Sequence, residues 1–368
     1  MTDNLRERLH ANDDMPAPDL WQDISCRSPE QPPRRHRRNT ALVVGLMVAG
    51  LLLTALWGFR GTLEDGTTQP GGGQQSLRSN GLLALARGRF APEGEAPPTS
   101  LMTIDPNSGA REVLADMDAG TVASWSSDGE RLAFVSDGDV VVLDLRTSAV
   151  EVAAACAQTV CEGQGSPAWS PDGSTLAFWA DRDGREGLWV MDTDSGESAT
   201  LLSPALSFGA PSWAPDGKSI AVSGTPTSNP DDHAIYIIDS ATGSILTTIR
   251  PQGVEPVFGV SWAPDGKSLA FDALGPGGTF QGAGVYVVTP SGSGLRLITA
   301  CDAFETCRDS EPAWSPDGRQ IAFTRSGQEL GGDPSLGDIY ILDLDSGDVH
   351  QTTTGNGLDC CVAWQSIP

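Results

Sequence analysis

Two kinds of side chain in this 368-residue chain lie close enough together to do chemistry. Asp181, Asp183 and Glu186, in the run Ala180-Asp181-Arg182-Asp183-Gly184-Arg185-Glu186-Gly187, put three carboxylates in one short turn, a hard-oxygen donor set of the kind calcium takes. The run is not a complete twelve-residue calcium loop with its closing glutamate, and Asp-Gly is equally the currency of hairpin turns. Calcium is therefore the only cofactor suggested. Cysteine is the second kind. Cys156 and Cys161 stand 13 and 8 residues before Trp169, and Cys301 and Cys307 stand 13 and 7 before Trp314. Matching offsets argue for local disulfides 156–161 and 301–307, each adding only about 2 kcal/mol for so short a loop. Cys360 and Cys361 are left to form a strained vicinal bridge, to stay free, or to exchange with the 301–307 loop.

Catalytic constellations are not expected. After the apolar segment near the N-terminus the chain has two histidines, His233 and His350, one in an insert and one in a strand, with no G-x-S-x-G elbow and no glycine-rich phosphate loop. The reading is of a non-enzyme.

The elements that must position these groups repeat. Trp169-Ser170-Pro171-Asp172-Gly173 recurs at Trp213, Trp262 and Trp314, with a looser copy at Trp125 and a final Trp364, at spacings of 44, 44, 49, 52 and 50 residues. Each of the first five is followed by a short apolar run (132–135, 176–179, 220–222, 269–271, 321–323), a variable insert, and a further strand (140–144, 188–192, 235–239, 285–289, 339–343). That is the length and grammar of a four-stranded propeller blade. Proline presets φ in the turn, aspartate suits its third position and glycine takes the left-handed fourth, while the tryptophan is a large apolar body for packing between blades. Before Trp125 lies a unit lacking its first strand (82–87, 101–105, 111–114), and 362–364 begins a unit at the other end. The two fragments complement each other. The expected fold is all-β, a six-bladed propeller of four-stranded antiparallel blades closed by the C-terminal strand.

The repeated W-[SA]-P-D-G with its I/L-A-F and I-Y-I-x-D strands resembles the TolB-type six-bladed propeller over residues 80–368. The resemblance implies a periplasmic scaffold, and also allows the propeller half of prolyl-oligopeptidase-type enzymes. The chain departs from TolB in carrying a membrane anchor where TolB has a globular N-terminal domain.

That anchor is residues 41–59, an uncharged run of nineteen residues, long enough as a helix to cross about 28 Å of hydrocarbon. Arg34, Arg35, Arg37 and Arg38 precede it, which by the positive-inside rule puts the N-terminus in the cytoplasm and the propeller outside. A cleaved signal peptide is the rival, disfavoured by the long leading segment and by the lack of an A-x-A site. The domains expected are a largely disordered tail (1–40), a transmembrane helix (41–59), a flexible linker (60–79) and the propeller (80–368). In the tail, Asp19, Leu20, Trp21 and Ile24 resemble the D-L-W-x-x-I stretch that precedes the anchor in bacterial membrane-bound regulators.

Of the formal net charge of −25, almost none lies in residues 1–40, where seven acids balance seven arginines. An acidic body argues against nucleic-acid binding, which needs clustered Lys and Arg, and favours basic or cationic partners. The turns after the first and third strands are short and alike, whereas connections after the second and fourth are long and differ in every blade. Binding is expected on that second face, through Asp231, Asp232, Asp333 and Asp338, with Asp181, Asp183, Glu186, Asp302, Glu305, Asp309 and Glu311 adding to its field. The expected function is a membrane-anchored extracytoplasmic scaffold for a protein or cationic ligand. The alternatives are an enzyme acting on sugars or peptides in the pore and a sensor signalling through the tail.

Overall fold

The computed structural model describes residues 79–88, 99–117, 122–155, 161–182, 184–193, 199–204, 206–226, 229, 232–300, 307–327, 337–354 and 358–367. The proposed tail, membrane span and all but the last residue of the linker lie outside them. Among the described residues no helix is long and apolar enough to cross a membrane.

The chain opens with β1 (Ser79–Gly88), β2 (Thr99–Ile104) and β3 (Arg111–Met117). Blade 1 follows as β4 (Ser124–Trp125), β5 (Arg131–Ser136), β6 (Asp139–Asp144) and β7 (Ala149–Ala154). Blade 2 has an inner strand in two pieces, β8 (Cys161–Gln164) and β9 (Ala168–Trp169), then β10 (Thr175–Arg182), β11 (Arg185–Asp192) and β12 (Thr200–Pro204). Blade 3 repeats this with β13 (Leu206–Phe208), β14 (Ser212–Trp213), β15 (Ser219–Pro226), β16 (Ala234–Asp239) and β17 (Ile245–Ile249). Blade 4 is β18 (Val257–Trp262), β19 (Leu269–Gly275), β20 (Thr279–Val288) and β21 (Arg296–Ala300). Blade 5 is β22 (Arg308–Trp314), β23 (Gln320–Ser326), β24 (Gly337–Asp343) and β25 (Val349–Gln351). The last strand, β26 (Leu358–Ile367), runs antiparallel to β1 with Leu83 opposite Trp364 and Ala84 opposite Ala363. It thus supplies the missing inner strand of a sixth blade, β26-β1-β2-β3. Inner strands touch in the cyclic order β26, β4, β9, β14, β18, β22 and back to β26, which closes a six-bladed ring.

Each turn is built as its residue types require. Ser126, Ser170 and Ser315 donate their hydroxyls to Asp128, Asp172 and Asp317, and the same carboxylate oxygens accept the amide two residues on. Gly129, Gly173, Gly217, Gly266 and Gly318 close the turns at φ of 71, 75, 70, 72 and 71°, a conformation that costs side-chain-bearing residues energy and glycine little.

The core is six apolar clusters, each shared by two neighbouring blades and each containing one repeat tryptophan. Trp125 packs with blade 6, Trp169 with blade 1, Trp213 with blade 2, Trp262 with blade 3, Trp314 with blade 4 and Trp364 with blade 5. A tryptophan thus belongs less to its own blade than to the seam behind it. Backbone bonds reinforce the seams: the amides of Trp169, Trp262 and Trp314 donate to Ser124, Ser212 and Ser261 Oγ of the preceding inner strands (3.0, 2.9 and 3.2 Å).

The insert between the second and third strands of blade 4 is itself structured. Residues 273–284 form a hairpin, with β19 running on to Gly275, a 3-10 turn at Pro276–Gly278 and β20 starting at Thr279. A Cβ at Gly275 would lie 1.8 Å from the Gln281 carbonyl oxygen, so only glycine lets the two strands approach.

Candidate functional site

The inner strands carry a recurring irregularity three residues before the tryptophan. In β18, β22 and β26 the register slips there, and the residues at that position, Gly259, Glu311 and Cys361, have φ of +29, +55 and +64°. Glycine suits a bulge of this kind; Glu311 and Cys361 adopt it under strain. The bulges are stitched from blade to blade. The Glu311 amide donates to Asp272 Oδ1 of blade 4 (3.1 Å), and the Cys361 amide donates to Glu311 Oε2 (2.9 Å). Thr324 Oγ1 also donates to Glu311 Oε2 (3.2 Å).

Around this chain the loop end of blades 4 to 6 holds a set of buried charges. Asp272 pairs with Arg308, whose guanidinium also lies 4.8 Å above the Phe258 ring. Asp309, 0 % exposed, receives both arms of Arg325 at 2.6 and 2.7 Å. Asp359 sits 3.2 Å from Arg87 Nε. Asp338 accepts from Gln351 Nε2 (2.8 Å) and Thr353 Oγ1 (3.2 Å). Burial, then the Asp272 charge, push the Glu311 carboxyl above the usual carboxylate range, against the hydrogen bonds from Cys361 and Thr324. Beside it, Cys360 and Cys361 are buried, with Sγ atoms 2.7 Å apart. The Cys361 contact favours the Cys360 thiolate, but burial and the Glu311 and Asp359 charges outweigh it and raise Cys360.

Several sequence expectations are corrected here. Asp309, Glu311 and Asp338 are not open loop acids: they lie in β22 and β24, because the strands begin earlier than their apolar runs do. Asp338, only 2 % exposed, therefore cannot serve as part of an exposed binding face. Cys360 and Cys361, whose pairing the sequence leaves open, lie side by side with their Sγ atoms in contact. Asp232 does lie in an inter-strand connection, where it forms a bidentate pair with Arg250 at 2.7 Å. Asp231, Asp333, Asp302 and Glu305 lie outside the described residues, as do Cys156, Cys301 and the side chain of Cys161. Cys307 is disulfide-bonded. Of the calcium candidates, Asp181 and Glu186 face each other across the β10–β11 hairpin and Asp183 lies outside the described residues. The one group of described acids and thiols with ligand atoms all within 4.8 Å of one another is Glu311, Cys360 and Cys361. His233 packs edge-on to Phe258, 6.1 Å between centroids, and His350 is on the outer strand β25. At the opposite, turn end a groove of about 650 Å³ opens between blades 2 and 3, lined by Asp172, Asp192, Asp216, Met191, Trp213 and Pro215.

The buried acids set a pH profile. Burial raises Asp338 above the ordinary 3.8, against hydrogen bonds from Thr353 and Gln351 and the charges of Arg87 and Arg111. Burial also raises Asp359, with Asp338 adding to it and Arg87, Thr353 and Arg111 opposing. A raised carboxylate costs stability in its charged form, so stability falls as pH climbs from the unfolded value through the folded one, and the cost is complete above it. Turn aspartates run the other way: the Ser170 hydroxyl holds Asp172 low, the Thr242 hydroxyl Asp239 and the Ser346 amide Asp343. Their contribution is present above the unfolded value and lost as pH falls through the folded one. Thermal melts should therefore peak at mildly acidic pH, and Asp338→Asn should flatten the decline on the neutral side. A wild-type stability that rises steadily from pH 5 to 8 would contradict this assignment.

Residues 99–221 match the family model described as the TolB beta propeller domain. Among solved structures, the chain is similar to TolB from Acinetobacter baumannii, at 19% identity and a TM-score of 0.61, covering 77% of this chain and 66% of that one. It is likewise similar to a putative TolB from Agrobacterium tumefaciens, at 21% identity and a TM-score of 0.58, covering 77% of this chain and 91% of that one. The chain thus spans just under two thirds of the first of these. No curated protein sequence matches it. The fold is a TolB-like β-propeller.

Proposed function

We propose that this propeller is a binding scaffold, held outside the cytoplasmic membrane by residues 41–59 and engaging a protein partner through the loop end of its ring. The observation that carries the reading is the asymmetry of the two ends. At the turn end, five near-copies of one hydrogen-bonded turn face solvent. Among the described residues the loop end differs from blade to blade: a bidentate Asp232–Arg250 pair at blade 3 and a projecting hairpin at blade 4. Blade-specific groups on a rigid ring can discriminate one partner from another, which five copies of a single turn cannot. The acidic composition favours a partner with a basic contact surface, approached with electrostatic steering.

Affinity capture from crosslinked cells with the full chain tests this. The expected result is a defined partner whose yield falls as salt rises from 50 to 500 mM, as screening removes the steering. A partner retained equally at both salts would contradict charge-steered recognition.

A second reading has one observation in its favour. The groove between blades 2 and 3 is concave, has Trp213 in its wall and carries three carboxylates, a combination suited to an extended basic segment docking at the turn end.

A further inference from the structure

Three of the buried carboxylates at the loop end have an arginine partner: Asp272 has Arg308, Asp309 has Arg325 and Asp359 has Arg87. Glu311 is different. It faces a hydroxyl, an amide and the Cys361 thiol, and among the described residues no cationic side chain lies within ion-pair distance of it. Cys360 Sγ, Cys361 Sγ and a Glu311 oxygen lie within 4.8 Å of one another. Three acidic groups are thus packed together at a place where the backbone itself is strained to bring two of them face to face.

We propose that Glu311, Cys360 and Cys361 form a binding site for a borderline-soft divalent cation, zinc being the cation the donors suit. Two thiolates and one carboxylate are donors that zinc accepts, while calcium and magnesium, which take oxygen, are disfavoured. With Zn–S near 2.3 Å and Zn–O near 2.0 Å, a tetrahedral site holds S···O at about 3.5 Å and S···S at about 3.7 Å. Cys361 Sγ already lies 3.6 Å from Glu311 Oε1. The two sulfurs, 2.7 Å apart, must separate by about 1 Å, which rotation of the Cys360 side chain supplies. Three protein ligands leave a fourth position on the half-buried Glu311 side for water or a partner group. Binding replaces the thiol protons, and the carboxyl proton where present, by the metal, so protons are released and no oxidant or reductant is consumed.

The strain supplies matched controls. Gly259 occupies the equivalent bulge in blade 4, so Glu311→Gly and Cys361→Gly each install the residue the backbone prefers. The full chain, with Cys26 of the N-terminal tail replaced (Cys26→Ser) and the Cys360 and Cys361 thiols verified as reduced, is titrated with Co2+ as a spectroscopic probe and then with Zn2+. One equivalent of Co2+ should give thiolate-to-cobalt charge-transfer absorption, displaced by Zn2+, with about two protons released per metal at pH 7. Each glycine variant should keep its melting transition and bind more than about tenfold more weakly. The proposal is overturned if wild-type protein shows no thiolate–cobalt band, if the glycine variants bind as tightly as wild type, or if protein taken from its native compartment carries a Cys360–Cys361 disulfide.

Discussion

A chain ending at residue 357 is expected to lose cooperative folding altogether, and Trp364→Ala alone to cost about 3–5 kcal/mol. Both effects follow from what β26 does. Paired with β1 it covers an edge whose Leu83 and Leu85 are fully buried, and its Val362 and Trp364 belong to the cluster shared with Ala322, Ile339 and Ile341 of blade 5. Trp364 Nε1 donates to the Ala313 carbonyl of blade 5 (3.1 Å), while Gln365 donates to the Gly129 carbonyl of blade 1 (2.8 Å) and accepts from the Leu82 amide (3.0 Å). One strand therefore joins the ring on both sides. Removing it opens blade 6, strips two seams and exposes an apolar strand edge of the kind that drives aggregation. Chemical denaturation of the point variant and light scattering of the truncation are the measurements. A truncated chain with the wild-type midpoint would mean that the ring is not closed by this strand.

Arg325→Met is expected to cost about 3–5 kcal/mol, with most of it recovered in the double variant Arg325→Met/Asp309→Leu. Asp309 is completely buried and its two oxygens are both taken by Arg325, whose guanidinium lies 4.9 Å above the Tyr340 ring. Removing the arginine leaves a desolvated charge with no partner, whereas removing both replaces an ion pair by apolar packing, an exchange that is often neutral. Urea denaturation of the two singles and the double closes a mutant cycle. Additive losses, with the double worse than either single, would show that the pair is not the unit of stabilisation.

Most of the ring was legible because the constraint that builds it is local and repeated. The W-[SA]-P-D-G turn needs its aspartate and glycine whatever lies around it, and the incomplete end units could be matched by what each lacked. The site was not legible for the opposite reason. Asp309 and Asp359 both stand five residues before a repeat tryptophan, and Glu311 and Cys361 both stand three before, where blade 4 has Gly259. Each reads as an ordinary charged or small residue ahead of a strand until the register slip is known to put it at positive φ against the neighbouring blade. Asp338 misled in the same way, since its buried carboxylate is met by Gln351 of β25 and by Thr353 just beyond that strand. The serines before Trp125, Trp213 and Trp262 were a readable signal: a polar residue recurring in an inner strand marks a bond to the next blade.

The central claim, that recognition occurs at the loop end, is tested most directly by photocrosslinking from single positions in living cells. A photoreactive residue is placed at Asn229, Glu255 or Gln281, exposed on the loop end, and in parallel at Asp216, Asp265 or Lys267, exposed on the turn end. The account predicts that one discrete adduct forms from the loop-end positions and is absent from the turn-end positions. The same adduct forming only from Asp216, at the mouth of the groove between blades 2 and 3, would contradict it.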